Sequence, residues 1–353
     1  MNSDEIIFLL GAGASCDAML KSSDAMTVEV EKMLDGKWDE YKQLYHAVKA
    51  SILYGHALHG DVRTRVNIEE FVNVLTELAR CKEHTIYPFI ASWNMELLEN
   101  AGRDFEKIRM FRRAIVKELV EKWVNLKDAT SASYYKGLIK LAETLGSNLR
   151  VFSLNYDLCV ESACGRESVF TGFVHEENTN GRVWNDRLMM QDDNVSRPIR
   201  LYKLHGSVDW RLDHDRLVSY DSPDTCDNPD DYQLIFGTEN KLRYTEPYLF
   251  LLSEFRKFSF GAKLIVCIGY SFQDKHINSI IQHAFSNQTP TKVVHVTKID
   301  SEGGSLEESK RVAAQLKVKE DDVKVLTFGA KDFMEHLSID QIKTLMPKEE
   351  SPF

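Results

Sequence analysis

Apolar positions along this chain follow two rhythms, and the change between them divides it. The run Ile6-Ile7-Phe8-Leu9-Leu10 is continuous, short and closed by Gly11-Ala12-Gly13-Ala14-Ser15. That is the mark of a strand buried on both faces of a parallel sheet. From about residue 24 to 146 the spacing becomes helical. Ile68, Phe71, Val72, Leu75 and Leu78 form one stripe within residues 67–81. Phe105, Ile108, Phe111, Ile115, Leu119, Val120 and Trp123 form another, which predicts a helix from Phe105 to about Leu126 with Asp104 as its cap. A further helix is expected from Ser133 to Leu145, with Gly146 as its C′ stop.

Strand signals then return at Arg150–Leu154, Ile199–Leu204, Lys263–Ile268, Thr291–Val296 and Val323–Phe328, with helices expected at 248–258, 274–286 and 305–316. This alternation predicts an α/β chain: a Rossmann-like doubly wound parallel sheet with a mostly helical insert as a second subdomain. The sheet domain takes residues 1–23 and 147–340, the insert 24–146 and a C-terminal tail 341–353, frayed from Pro347 onward. The segment 213–231, with seven aspartates and two prolines, is expected to be a loop.

Composition narrows the function classes. With 353 residues, 43% of them hydrophobic and 28% charged, the chain has material for a large core. Its 44 basic and 54 acidic residues leave a net charge of −10, which lacks the footprint of a dedicated nucleic-acid binder, so direct nucleic-acid binding is not expected. No apolar run approaches membrane-span length, and Met1-Asn2-Ser3-Asp4-Glu5 is no signal-peptide start, so a cytoplasmic protein without membrane association is expected. The six cysteines (Cys16, Cys81, Cys159, Cys164, Cys226 and Cys267) include no C-x-x-C pair. They read as free thiols, and no metal site is expected. His56, His59, His84, His214 and His336 read as surface residues.

Candidate chemistry sits where strands end. Small residues in Gly11-Ala12-Gly13-Ala14-Ser15 would let a pyrophosphate approach the backbone, with a following helix N-terminus supplying N–H donors; a tight strand–helix turn is the other reading. Asn155-Tyr156-Asp157 follows the second strand and could hold sugar hydroxyls and a carboxamide, or simply close the strand as an Asx turn. Lys203-Leu204-His205-Gly206-Ser207 places a histidine at a third strand end, either a general base or an imidazole satisfied by backbone. In Gly269-Tyr270-Ser271-Phe272-Gln273-Asp274 the glycine leaves room for ribose or phosphate, Ser271 can donate, and Asp274 can cap the next helix as well as contact ligand. In a parallel sheet such endings converge on one edge.

Together these residues resemble the sirtuin superfamily, and specifically its bacterial Sir2-like branch. Gly11–Ser15 is similar to that family's cofactor loop, Asn155-Tyr156-Asp157 to its Asn-x-Asp element, Leu204-His205-Gly206 to its catalytic histidine and Gly269-Tyr270-Ser271 to its ribose and phosphate contact. The stretch Gly269 to Asn278 also resembles the Sir2-like signature of bacterial defence proteins. The resemblance implies NAD as substrate. It casts Asn155 as the residue that orients the nicotinamide ribose and a water, Asp157 as a nicotinamide-side contact and His205 as the base. Two features depart from protein-deacylating sirtuins: there is no C-x-x-C zinc module, and Cys16-Asp17-Ala18-Met19-Leu20-Lys21 replaces Gly-Ile-Pro-x-Phe-Arg.

The function so implied is an NAD+ glycohydrolase yielding nicotinamide and ADP-ribose, an antiphage effector that depletes NAD when assembly activates it. Assembly would be as a homo-oligomer or with a HerA-type ATPase, which must be a separate polypeptide because this chain has no Walker-type motif. The rival readings are an NAD- or ADP-ribose-binding regulatory subunit with little catalysis, and a protein deacylase or ADP-ribosyltransferase.

Overall fold

The run Ile6–Leu10 is buried at every position, and its side chains alternate between two cores. Ile6, Phe8 and Leu10 enter one, Ile7 and Leu9 the other. A continuous apolar run is what a strand covered on both faces requires. The computed structural model describes residues 3–60, 65–80, 99–102, 105–177, 179–190, 197–214, 216–221, 228–236, 246–287, 290–299 and 303–347. Its strands, in chain order, are β1 (Ile6–Leu10), β2 (Leu149–Ser153), β3 (Val169–Phe170), β4 (Phe173–His175), β5 (Arg182–Trp184), β6 (Ile199–Lys203), β7 (Gly206–Asp213), β8 (Arg216–Ser219), β9 (Tyr232–Leu234), β10 (Leu264–Ile268), β11 (Lys292–Val296) and β12 (Val323–Leu326). The helices used below are α1 (Ser23–Met33), α2 (Lys42–Leu58), α3 (Ile68–Ala79), α4 (Glu106–Glu118), α5 (Lys136–Leu145), α6 (Cys159–Cys164), α7 (Asp186–Met190), α8 (Tyr248–Gly261), α9 (Lys275–Ala284), α10 (Gly304–Leu316), α11 (Ala330–Glu335) and α12 (Ile339–Leu345).

Seven strands form one sheet in the order β12-β11-β10-β1-β2-β6-β3, parallel throughout. The chain steps outward from β1 through β2 to the edge strand β3, comes back to insert β6 between β2 and β3, then returns to lay β10 on the other side of β1. The strand order therefore reverses between β1 and β10, and the crevice at the carboxyl ends there is where doubly wound folds bind ligand. The α/β expectation holds, and α8, α9 and α10 lie where the periodicity places them.

A separate core is built by α1–α4. Its centre is the ring group Trp38, Tyr41, Phe71 and Phe111, with Tyr41 stacked on Phe111 at 4.6 Å. Tyr156, Val208, Tyr232 and Phe236 reach into this core from the sheet side. No helix among the described residues is long and apolar enough to cross a membrane.

Several expectations need correction. The helix expected from Phe105 to Leu126 is α-helical only to Glu118 and continues as a π-helical turn, Leu119–Trp123. The wider turn lets Leu119, Val120 and Trp123 all face the core. Asp104 lies outside the described residues. The helix expected at Ser133 begins as a 3-10 helix, Ala129–Tyr135, capped by Asp128, and α5 then ends at Gly146 in the left-handed region as foreseen. By packing, α5 belongs to the sheet: Leu138, Leu141 and Ala142 join the core of Ile6 and Phe8. The same core takes Ile342 and Leu345 of α12, so the tail assigned from residue 341 begins inside a packed helix; residues 348–353 lie outside the description.

The aspartate-rich segment is not wholly loop. Leu217 and Val218 are buried, and around them Arg216–Ser219 forms β8. A second, antiparallel sheet, β4-β5-β8-β7-β9, was not foreseen, because several of its strands are too short to show alternation. Cys16, Cys159, Cys164 and Cys267 are free thiols, and Cys81 and Cys226 lie outside the described residues.

Candidate active site

Residues following β1, β2, β6 and β10 line one cavity of about 580 Å³, among them Gly13, Asn155, Asp157, His205 and Asp274. Gly11, Ala12, Ser15, Gly269, Tyr270 and Ser271 line it as well. Gly206 does not line it. It opens β7 with φ +86°, and its α-carbon turns toward the Gln233 carbonyl instead.

The glycines are needed first by the protein itself. A Cβ on Gly269 (φ +61°) would lie 2.1 Å from the Ala14 nitrogen and 2.3 Å from the Gly13 carbonyl carbon. One on Gly13 would lie 2.8 Å from the Gly269 α-carbon. The two loops can touch only because both residues lack a side chain. The contact also uses amides once expected to serve a phosphate. Gly11 N–H donates to Ile268, Gly13 N–H to Gly269 and Ala14 N–H back to Gly11, each at 2.9 Å. The helix that follows is a 3-10 helix, Ala12–Ala18, rather than an α-helix. Tyr134 supports the loop from beneath by donating to the Ala14 carbonyl at 2.7 Å, and Tyr135 shares a 3.0 Å hydrogen bond with Ser15 Oγ.

Asn155 is held in one orientation. Its Nδ2 donates to the Gly11 carbonyl at 2.9 Å and to Ser15 Oγ at 3.2 Å. A carbonyl can only accept, so the amide nitrogen must face it, and Oδ1 is left buried with no hydrogen-bond partner. Such an acceptor in a cavity wall calls for a donor from a ligand or water. Asp157 accepts from the Cys159 amide at 3.0 Å, so the Asx-turn reading describes its Oδ1 while the residue still lines the cavity. Beneath it, the buried Lys203 donates to the Asp157 carbonyl and lies 3.5 Å from Glu161, whose carboxyl burial pushes above its ordinary range.

His205 is buried at the corner between β6 and β7, where its carbonyl accepts from Ile235 at 2.9 Å. Its Nε2 lies 3.4 Å from Asp274 Oδ2. Asp274 also caps α9, with Oδ1 accepting from the His276 and Ile277 amides, so the cap reading and the site reading are both true of it. Tyr270 turns inward, its hydroxyl donating to Asn278 Oδ1 at 2.8 Å, whereas Ser271 is exposed.

One wall was not found from the sequence. From the helical layer, His56, Asn67, Glu69, Glu70 and Asn73 line the cavity. His56, expected at the surface, is half-buried with Nε2 2.6 Å from Glu70 Oε1. His59, His214 and His336 are exposed as expected, and His84 lies outside the described residues. At the β11 side, Arg311 clamps Glu308 through two bonds of 2.7 and 2.5 Å and donates to the Ser271 carbonyl at 3.1 Å. The bonds from Arg311, with His295 Nδ1 3.3 Å away, hold the Glu308 carboxyl down to about 2. Among the described residues, no group of three or more His, Cys, Asp or Glu side chains is arranged to hold a metal ion.

An amide, an imidazole backed by a carboxylate and a glycine-lined crevice thus share one cavity at the point of strand reversal. Residues 149–319 match a SIR2-like domain. The SIR2-like stretch begins at the start of β2 and takes in Asn155, Asp157, His205 and the Gly269–Asp274 loop; the Gly11–Ser15 loop lies outside it. No curated protein matches the chain in sequence. Among solved structures, a complex of a Sir2 homolog with NAD aligns over 98% of this chain and 93% of its own, at 13% identity and a TM-score of 0.44. A Sir2 homologue mutant with 2′-O-acetyl ADP ribose aligns over 99% and 97%, at 14% identity and a TM-score of 0.44. A second such mutant with ADP ribose aligns over 97% and 94%, at 11% identity and a TM-score of 0.45.

Proposed function

We propose that this chain is an NAD+ glycohydrolase. The observation that carries the reading is the fixed Asn155 amide, whose oxygen is a buried, unpartnered acceptor in the same cavity as His205. The SIR2-like match over the three strand ends that hold Asn155, His205 and Asp274 supports it.

In this reading the diphosphate lies across the Gly11–Ser15 and Gly269–Ser271 loops, and Asn155 accepts from a ribose hydroxyl or the attacking water. The C1′–N bond breaks, and its electron pair neutralises the pyridinium, so nicotinamide leaves without a general acid. Water oxygen bonds to C1′, and its proton passes to His205, whose cationic form Asp274 stabilises. Positioning and charge stabilisation supply most of the effect, and base catalysis would add about 10²–10⁴-fold. The role as an antiphage effector, and activation as a homo-oligomer or by a HerA-type ATPase, are part of the same proposal and rest on the resemblance in sequence.

The test is release of nicotinamide and ADP-ribose from NAD+ by the full chain, followed across protein concentration and with an added HerA-type ATPase. Asn155→Ala and His205→Ala are each expected to abolish it. Release that survives both changes overturns the assignment. Tight NAD+ binding without product under every condition would indicate the regulatory role, and turnover only with an acylated peptide or a protein acceptor would indicate a deacylase or transferase.

A further inference from the structure

The carboxylates around the cavity are not equivalent. Asp157 and Asp274 each spend an oxygen on helix amides, Glu70 is held by His56, and Glu308 is clamped by Arg311. Glu69 differs. It stands half-buried in the first turn of α3, and its carboxylate has one long contact, from the Ser23 hydroxyl at 3.5 Å. Its backbone is fixed, because its amide donates to the Asn67 cap at 2.8 Å. The Asn67 amide nitrogen in turn donates to Gln273 at 3.2 Å, which ties this turn to the loop carrying Tyr270 and Asp274. The charge of Glu69 reaches both strand ends that flank the site. Burial pushes the Tyr156 and Tyr270 hydroxyls up, and Glu69 adds to both, as Asp274 does. Glu69 thus lines the cavity that also holds Asn155 and the His205–Asp274 pair, on a turn bonded to the loop that carries Asp274.

We infer that Glu69 recognises positive charge in the bound dinucleotide: it faces the pyridinium ring of NAD+ and, as the C1′–N bond opens, the charge that passes to the ribose. This rests on the NAD+ reading above and deepens it, because a carboxylate there discriminates between two molecules of one shape. NAD+ carries a cationic ring, and NADH carries a neutral one. The helical layer then supplies the charge selection, and the sheet supplies the positioning.

The test compares Kd for NAD+ and for NADH, measured by calorimetry on the full chain under conditions of negligible turnover. The proteins are the unaltered chain, Glu69→Gln and Glu69→Asp, with a thermal melt of each as a fold control. For a half-exposed charge, Glu69→Gln is expected to weaken NAD+ binding about three- to tenfold and to leave NADH within about twofold. Glu69→Asp should keep part of the preference, and it becomes the comparison if Glu69→Gln does not melt cooperatively. Equal losses for the two dinucleotides, or none for either, overturn the inference and leave the NAD+ site standing. A preference that disappears in Glu69→Gln while the unaltered chain never releases nicotinamide upholds the inference and overturns the hydrolase reading. Binding of neither dinucleotide to the unaltered chain overturns both.

Discussion

Gly269→Ala tests the contact on which the whole site depends. The residue combines a left-handed backbone, φ +61°, with atoms of the Gly13–Ala14 backbone where a Cβ would go. The backbone conformation alone costs about 1–2 kcal/mol for an L-residue. The methyl would also have to move from 2.1 Å to the 3.4 Å of ordinary contact with the Ala14 nitrogen, and no flexible side chain is there to yield. Overpacking of this kind costs about 1–3 kcal/mol, so a total loss of about 2–5 kcal/mol is expected. Gly146→Ala separates the two causes, since Gly146 has φ +65° and nothing within 4 Å. Its loss should stay near 1 kcal/mol, because the stiffer unfolded chain offsets part of the strain. Urea unfolding of both variants gives the difference. Calorimetry should show NAD+ affinity reduced at least about tenfold in Gly269→Ala, where the loops are forced apart, and unchanged in Gly146→Ala. Equal stability losses together with unchanged NAD+ affinity would refute both the close approach and its role in the site.

Three further outcomes follow from named contacts. Asn155→Asp replaces a donor facing the Gly11 carbonyl with an acceptor, so it should lower stability by about 1–3 kcal/mol in urea unfolding and abolish nicotinamide release. Lys203→Met removes the cation beside buried Glu161 and should cost up to about 3–5 kcal/mol near pH 8. Glu161 already has its carboxyl raised from 4.5, and losing Lys203 raises it further. A raised folded value contributes stability at low pH that is lost as pH rises, so the deficit should shrink as unfolding is measured toward about pH 5. Glu308 is depressed from 4.5 to about 2, so its contribution is full above the ordinary value and lost as pH falls. Glu308→Gln should therefore lower the urea midpoint near pH 6 and match the unaltered chain near pH 2.

What could be read in the sequence follows physical rules of differing range. A strand buried on both faces is rich in apolar residues, continuous in β1 and β10 and interrupted by a few polar ones in β2, β6 and β11, so these strands and the edge strand β12 were visible, and the polar residues just beyond four of them marked the cavity. The short strands of the second sheet were not visible, because two or three residues cannot display a period. At the site, residue type disclosed where a group stands but not what it spends itself on. The amides of Gly11, Gly13 and Ala14 are consumed by loop contacts, and Gly206 turns away from the cavity, facts that depend on partners far along the chain.

The wall from the helical layer was hidden for a further reason. Asn67 followed by Glu69 and Glu70 is an ordinary capped, acid-rich first turn, fully accounted for by local helix electrostatics. Long-range contacts, among them the Asn67–Gln273 bond between residues 206 positions apart and the packing of α3 into the core that Tyr156 joins, bring that turn to the cavity. A residue whose local role is complete gives no sign in the sequence of a second one. The cavity wall contributed by α2 and α3 is therefore seen only once the fold has brought a helix's first turn to a strand edge.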